Sequence, residues 1–140
     1  MNVGILGLGL IGGSLARAYA MEGHTVWAAE KDEPMLSFAM LAGAVHERLE
    51  EATIAACDLI LLAIYPDGSA SWLEKNAQHI RKDALVIDCC GVKREICQRC
   101  FPVAKKYGFT FIGGHPMAGK EVTGYVNAEA DLFKGASQFP

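Results

Sequence analysis

The sequence predicts an α/β domain built on a doubly wound, mainly parallel sheet with helices on both faces. Three observations carry that reading. Short apolar runs alternate with helix-length segments along the chain, which implies βαβ units joined by right-handed crossovers. The first run, Val3 to Leu6, leads into glycines at positions 7, 9 and 12, and a helix-like segment follows at once. The second strand candidate, Thr25 to Ala29, ends at an acid, Glu30. A G-x-G-x-x-G turn between strand and helix, with an acid about 20 residues on, is the pattern of a Rossmann-type nucleotide-binding fold.

Each element has a local justification. Val3 to Leu6 is apolar throughout, as in a strand buried on both faces. Gly7 permits the tight turn, Gly9 lets a pyrophosphate approach the backbone, and Gly12 lets the helix lie close to the sheet. The helix start then offers unpaired N–H groups and a positive dipole end. This makes Gly7, Leu8, Gly9, Leu10, Ile11 and Gly12 the candidate phosphate-binding stretch. Glu30 is placed to accept hydrogen bonds from the adenosine ribose hydroxyls and to repel a 2′-phosphate. Its neighbour Lys31 would instead pair with that phosphate, so NAD is favoured and NADP is the alternative.

Pro34 suits the first turn of a second helix running to about Ala42, closed by Gly43. A short edge strand is expected near Val45-His46, and a brief helix over Glu50 to Ala56. Leu59 to Ile64 is the clearest buried strand, ending in a turn at Tyr65-Pro66-Asp67-Gly68. Ala63, Ile64 and Tyr65 thereby fall at the sheet edge where ligands of open α/β folds bind. A helix over Ser71 to Arg81, a strand over Ala84 to Asp88, and a helix over Arg94 to Tyr107 follow, the last interrupted or started late by Pro102. Phe109 to Ile112 is the next strand, and Gly135 to Phe139 leads toward another.

Composition narrows the function. With 140 residues the chain is one domain by length, 51% apolar and of net charge -3. Scattered lysines and arginines form no basic stripe, so nucleic acid is not expected as a partner. The chain has neither a long apolar run nor a signal-peptide pattern, so no membrane association and a cytoplasmic location are expected. The cysteines include Cys97-x-x-Cys100 and the pair Cys89-Cys90. Adjacent strand residues point to opposite faces and helical i, i+3 spacing marks a packing face, so no metal is assigned.

The second informative stretch is Gly113-Gly114-His115-Pro116-Met117-Ala118-Gly119, which follows a strand on the same sheet edge. Two glycines let the backbone curl and Pro116 stiffens it, holding one imidazole at the mouth of the cleft. An imidazole near its working pH suits proton transfer coupled to hydride removal. A loop histidine that merely caps a turn is the plain alternative. His24, His46 and His79 share no predicted site with the glycine turn.

The glycine stretch 7–16, the strand Leu61 to Pro66, the run Asp88-Cys89-Cys90-Gly91-Val92-Lys93, the loop Gly114 to Gly119 and Asp131 to Ala136 occur in that order. Together they resemble the nucleotide-binding part of the prephenate/arogenate dehydrogenase family of tyrosine biosynthesis. The resemblance covers essentially the whole chain. It implies oxidative decarboxylation: hydride leaves the ring carbon bearing the hydroxyl for NAD or NADP, the carboxylate leaves as carbon dioxide, and the ring becomes aromatic. His115 is the implied catalytic residue, bonding the ring hydroxyl and taking its proton. Gly91, Gly114 and Gly119 fall in the implied substrate pocket.

Three departures stand out. Gly91 replaces a serine common in relatives, and Tyr65 replaces a smaller proline. The family also continues into a helical domain that dimerises and binds the substrate carboxylates, whereas this chain stops at Pro140. The resemblance therefore implies a fragment that binds cofactor without useful turnover, taken from a homodimer. Two rival readings are another Rossmann reductase of small hydroxy acids and a regulatory module that binds NAD(H) without chemistry.

Overall fold

Six strands, all parallel, lie side by side in the order β3-β2-β1-β4-β5-β6. They are β1 (Asn2–Leu6), β2 (Thr25–Ala29), β3 (Glu47–Arg48), β4 (Leu59–Leu62), β5 (Leu85–Asp88) and β6 (Thr110–Gly113). Between them run α1 (Leu10–Met21), α2 (Glu33–Leu41), α3 (Glu51–Ile54), α4 (Pro66–Asn76) and α5 (Arg94–Tyr107). This computed structural model describes residues 1–89 and 94–114. Within them the predicted Rossmann-type sheet is present. The strand order reverses between β1 and β4, so a crevice opens beyond their carboxyl ends.

Period-two alternation splits the core into two layers. Val3, Ile5, Leu59, Leu61 and Ile87 point toward the side that also buries Leu15, Ala16 and Leu36 of α1 and α2. Leu6, Ile60, Leu62, Val86 and Phe111 point to the other side, against Leu73 of α4 and Ile96, Cys100 and Ala104 of α5. Central strands buried on both faces explain why β4 reads as an unbroken apolar run. At the far edge, Asp58 accepts from the Asn2 N–H (2.7 Å) and from Arg81 (2.6 Å). Those bonds hold its carboxyl below the usual carboxylate range, the Asn2 N–H contributing most.

Several boundaries differ from the sequence expectation. β4 ends at Leu62 rather than Ile64, because its partner β1 ends at Leu6, where Gly7 turns away at φ +93°. One more ladder bond, from Ala63 N–H to the Leu6 carbonyl at 2.8 Å, completes the pairing. The expected turn at Tyr65-Pro66-Asp67-Gly68 is the start of α4, with Pro66 in its first turn, where a missing N–H costs nothing. That helix stops at Asn76, not Arg81, and a 3₁₀ turn, Ala77–His79, follows. The Asn76 side chain donates to the Trp72 carbonyl at 2.9 Å, the kind of local competition that ends a helix. The edge strand forms at Glu47–Arg48, one step past Val45-His46, whose His46 N–H bonds the Val26 carbonyl at 2.7 Å. Pro102 does not break α5. Pro102 and Gln98 are both exposed, so water can serve the carbonyl that the missing N–H would have served.

Candidate dinucleotide-binding site

The three glycines of the turn are required for three different reasons. Gly7 has φ +93°, a conformation side chains rarely adopt, and its N–H bonds the Ala29 carbonyl of β2 at 2.8 Å. Gly12 has no room for a methyl group: a Cβ there would strike the Gly7 carbonyl oxygen and lie 3.2 Å from the Ala63 Cβ. Gly9 has an ordinary φ of -69°, and a Cβ there would meet no atom of the described residues within 4 Å. Among the described residues, neither backbone strain nor packing demands glycine at position 9. A bare backbone facing open space is what close approach of a pyrophosphate requires.

Helix α1 begins beside that opening. Its first bond runs from Gly13 N–H to the Gly9 carbonyl (2.8 Å), and Gly9 makes no side-chain cap. The preceding N–H groups of Leu10 and Ile11 have no intrahelical partner and lie at the positive end of the dipole. The Leu10 side chain is buried beneath them, and Ile11 packs against the core. Leu8 differs from its neighbours. Its side chain is fully buried, and its N–H donates to Glu30 Oε1 at 2.8 Å.

Glu30 stands at the carboxyl end of β2, and its second oxygen accepts from the Asp32 N–H at 3.0 Å. Asp32 in turn caps α2 by accepting from Met35 N–H at 3.1 Å. Glu33 pairs through both oxygens with Arg48, at 2.9 and 2.6 Å. Between Glu30 and the start of α4 lies a cleft of about 720 Å³. Gly7, Glu30, Lys31, Ile64 and Tyr65, all named from the sequence as cofactor-binding candidates, line it together with Asp67, Gly68 and Trp72. Ala63 instead packs under the turn, against Gly7 and Gly12. Lys31 is exposed, and Tyr65 is 88% exposed at the rim.

Asp67, Gly68 and Trp72 were missed as lining residues because α4 starts earlier than the sequence reading had it. Pro66 was the available signal, since proline favours the first helical turn. Gly68 makes room for Ile64, whose Cδ1 would lie 2.9 Å from an added Cβ. Arg99 of α5 fixes this wall from behind, bonding Asp67 and Glu74 at 2.7 Å each and Ser71 at 3.2 Å. Glu74 first and Asp67 second hold its guanidinium even more firmly protonated.

Gly114 is buried at the carboxyl end of β6, with its N–H on the Asp88 carbonyl at 2.8 Å. Three strand spacings separate β6 from β1 in the sheet, about 14 Å along the ligand-binding edge. His115, Gly91 and Gly119 lie outside the described residues. Among the described residues no group of three or more His, Cys, Asp or Glu side chains gathers as metal ligands. Among the described residues, Cys57, Cys89, Cys97 and Cys100 form no disulfide. No described helix is long and apolar enough to cross a membrane.

Known proteins share this fold. Residues 15–138 match the family described as prephenate dehydrogenase, nucleotide-binding domain. A prephenate dehydrogenase of Lactococcus lactis subsp. cremoris is 32% identical over 136 residues, covering 94% of this chain and 38% of that protein. Synechocystis arogenate dehydrogenase superposes with a TM-score of 0.87 at 31% identity, over 99% of this chain and 49% of that one. A prephenate dehydrogenase from A. aeolicus, solved with hydroxyphenyl propionate and NAD+, gives 0.83 at 25% identity over the same shares. The chain thus spans between a third and a half of the length of these relatives. The matched region runs from Leu15, just past the glycine turn, through nearly all the rest of the chain: the chain belongs to the prephenate dehydrogenase nucleotide-binding domain family.

Proposed function

We propose that this chain binds NAD and forms the cofactor half of an enzyme that oxidatively decarboxylates prephenate or arogenate. The observation that carries the reading is Gly9, a glycine that neither its own backbone nor packing among the described residues requires. It sits where a pyrophosphate would reach the start of α1. Leu10 and Ile11 N–H groups would hold that pyrophosphate, and Glu30 would face the adenosine ribose. The residues fit the dinucleotide: an open turn, an acid at the end of β2 and a cleft beside it. Glu30 disfavours a 2′-phosphate, which selects NAD over NADP despite exposed Lys31.

The nicotinamide, when bound, accepts the hydride. What the chain contributes is position and proton control. The sheet edge from β1 to β6 carries the turn at one end and Gly114, the residue before His115 in sequence, at the other. His115 would accept the ring hydroxyl proton as carbonyl character develops, and polarising that O–H makes hydride a better leaving group. Gly91 and Gly119 would leave room for the substrate ring. Loss of carbon dioxide and aromatisation drive the step to 4-hydroxyphenylpyruvate from prephenate, or to tyrosine from arogenate. The relatives extend well beyond this chain's length, so substrate carboxylates would be held by a further part of a cytoplasmic homodimer. The isolated chain would bind cofactor without turnover.

The test is His115→Ala in a complete protein carrying this chain, assayed by nicotinamide reduction with prephenate and with arogenate. The expected result is a rate loss of about 10²-fold or more with cofactor affinity nearly intact, and the faster substrate identifies the specificity. An unchanged rate contradicts the role given to His115 and favours a module that binds NAD(H) without this chemistry.

A further inference from the structure

Glu30 does more in this fold than wait for a ribose. Both carboxylate oxygens already accept main-chain N–H groups, Oε1 from Leu8 at 2.8 Å and Oε2 from Asp32 at 3.0 Å. Leu8 is the second residue of the glycine turn, 22 positions earlier in the chain. The turn is therefore pinned to β2 twice, by Gly7 N–H on the Ala29 carbonyl and by Leu8 N–H on Glu30. The Leu8 side chain, fully buried, fixes it from below. Through Asp32, the N-cap of α2, the same carboxylate ties the turn to the next helix.

We propose that Glu30 is a positioning residue for the phosphate-binding turn, acting through the Leu8 amide independently of any contact with the cofactor's ribose. This rests on the NAD reading above. A hydrogen bond to an ionised carboxylate is about twice as strong as a neutral one. It withdraws Leu8 N–H from the donors available to an anion and leaves that task to Leu10 and Ile11. Each carboxylate oxygen has two lone-pair sites, so Glu30 can hold the turn and still accept a ribose hydroxyl. Recognition of the sugar and placement of the phosphate donors then share one side chain, so an acceptor is needed at position 30 even when the ribose contact is taken away.

The experiment compares NAD with an analogue lacking both hydroxyls of the adenosine ribose, titrated into the unchanged protein, Glu30→Ala and Glu30→Gln. Amide exchange at Leu8 is followed by NMR without ligand. Glu30→Ala is expected to weaken the analogue, as well as NAD, by about tenfold or more, and to speed Leu8 exchange by a similar factor. Glu30→Gln, whose amide oxygen can accept from Leu8 although its NH2 cannot accept from Asp32, restores analogue binding to within about threefold of the unchanged protein. Undiminished analogue binding by Glu30→Ala, with only NAD weakened, overturns the proposal and leaves Glu30 as a ribose ligand alone. If Glu30→Ala does not fold, Leu8 exchange in the unchanged protein decides: protection supports the anchor, and exchange at the rate of an open peptide overturns it. Failure of the unchanged protein to bind NAD would refute the cofactor reading, while the ligand-free exchange measurement still judges the anchor.

Discussion

Alanine placed singly at Gly9 and at Gly12 separates what the turn does for the ligand from what it does for the fold. At Gly12 the new methyl meets the Gly7 carbonyl oxygen, with the Gly7 carbonyl carbon at 2.9 Å and Ala63 Cβ at 3.2 Å. Two of these atoms are backbone and cannot swing away, so α1 must lift from the sheet. Overpacking of this kind costs about 1–3 kcal/mol or more, and the helix preference of alanine over glycine returns about 1 kcal/mol. The net loss is about 2 kcal/mol, a fall in Tm of about 6 °C for a domain of this size. At Gly9 no atom of the described residues lies within 4 Å of the new Cβ and φ is already -69°. The poorer N-cap and the less flexible unfolded chain nearly cancel, leaving stability within about 0.5 kcal/mol. The same methyl fills the space intended for the pyrophosphate, so NAD affinity falls at least tenfold, or about 1.4 kcal/mol. Thermal unfolding and calorimetric titration read the two quantities separately. Wild-type NAD affinity in Gly9→Ala, or wild-type Tm in Gly12→Ala, refutes the reasoning.

Two further predictions concern titratable groups. Asp58 has its carboxyl held low by the Asn2 N–H and Arg81, so its stabilisation is present above the ordinary carboxylate range and fades as pH falls through its lowered value. Asp58→Asn should therefore cost about 1 kcal/mol near pH 7, after allowance for solvent screening, and almost nothing well below pH 4; a pH-independent difference in urea midpoint contradicts this. Burial, reinforced by Asp58, pushes the Cys57 thiol up to about 12, and burial followed by Asp88 does the same for Cys100. At pH 8 both should resist iodoacetamide about 100-fold or more relative to the unfolded chain, and peptide mapping that finds them alkylated at the unfolded rate refutes it.

How much was legible followed the range of the interactions. The glycine turn, β2, Glu30 and the helix opened by Pro34 were readable because a few adjacent residues determine each. The length of β4 was not, since it depends on where β1 turns away at Gly7. The start of α4 was misread because Pro-Asp-Gly suits a turn as well as a first helical turn; packing of Leu73 and Ala70 into the core decides for the helix. Trp72, which lines the cleft, was consequently not picked out. The bond from Leu8 to Glu30, across 22 residues, leaves no mark in either local sequence. The acid was legible at its position, but its second partner was not.

The most direct test of the central claim is calorimetric titration of this chain with NAD, with NADP run beside it. The account predicts saturable binding of one NAD per chain, weaker binding of NADP, and loss of NAD binding in Gly9→Ala at unchanged stability. A chain that is folded by its unfolding transition yet gives no saturable NAD binding would contradict it.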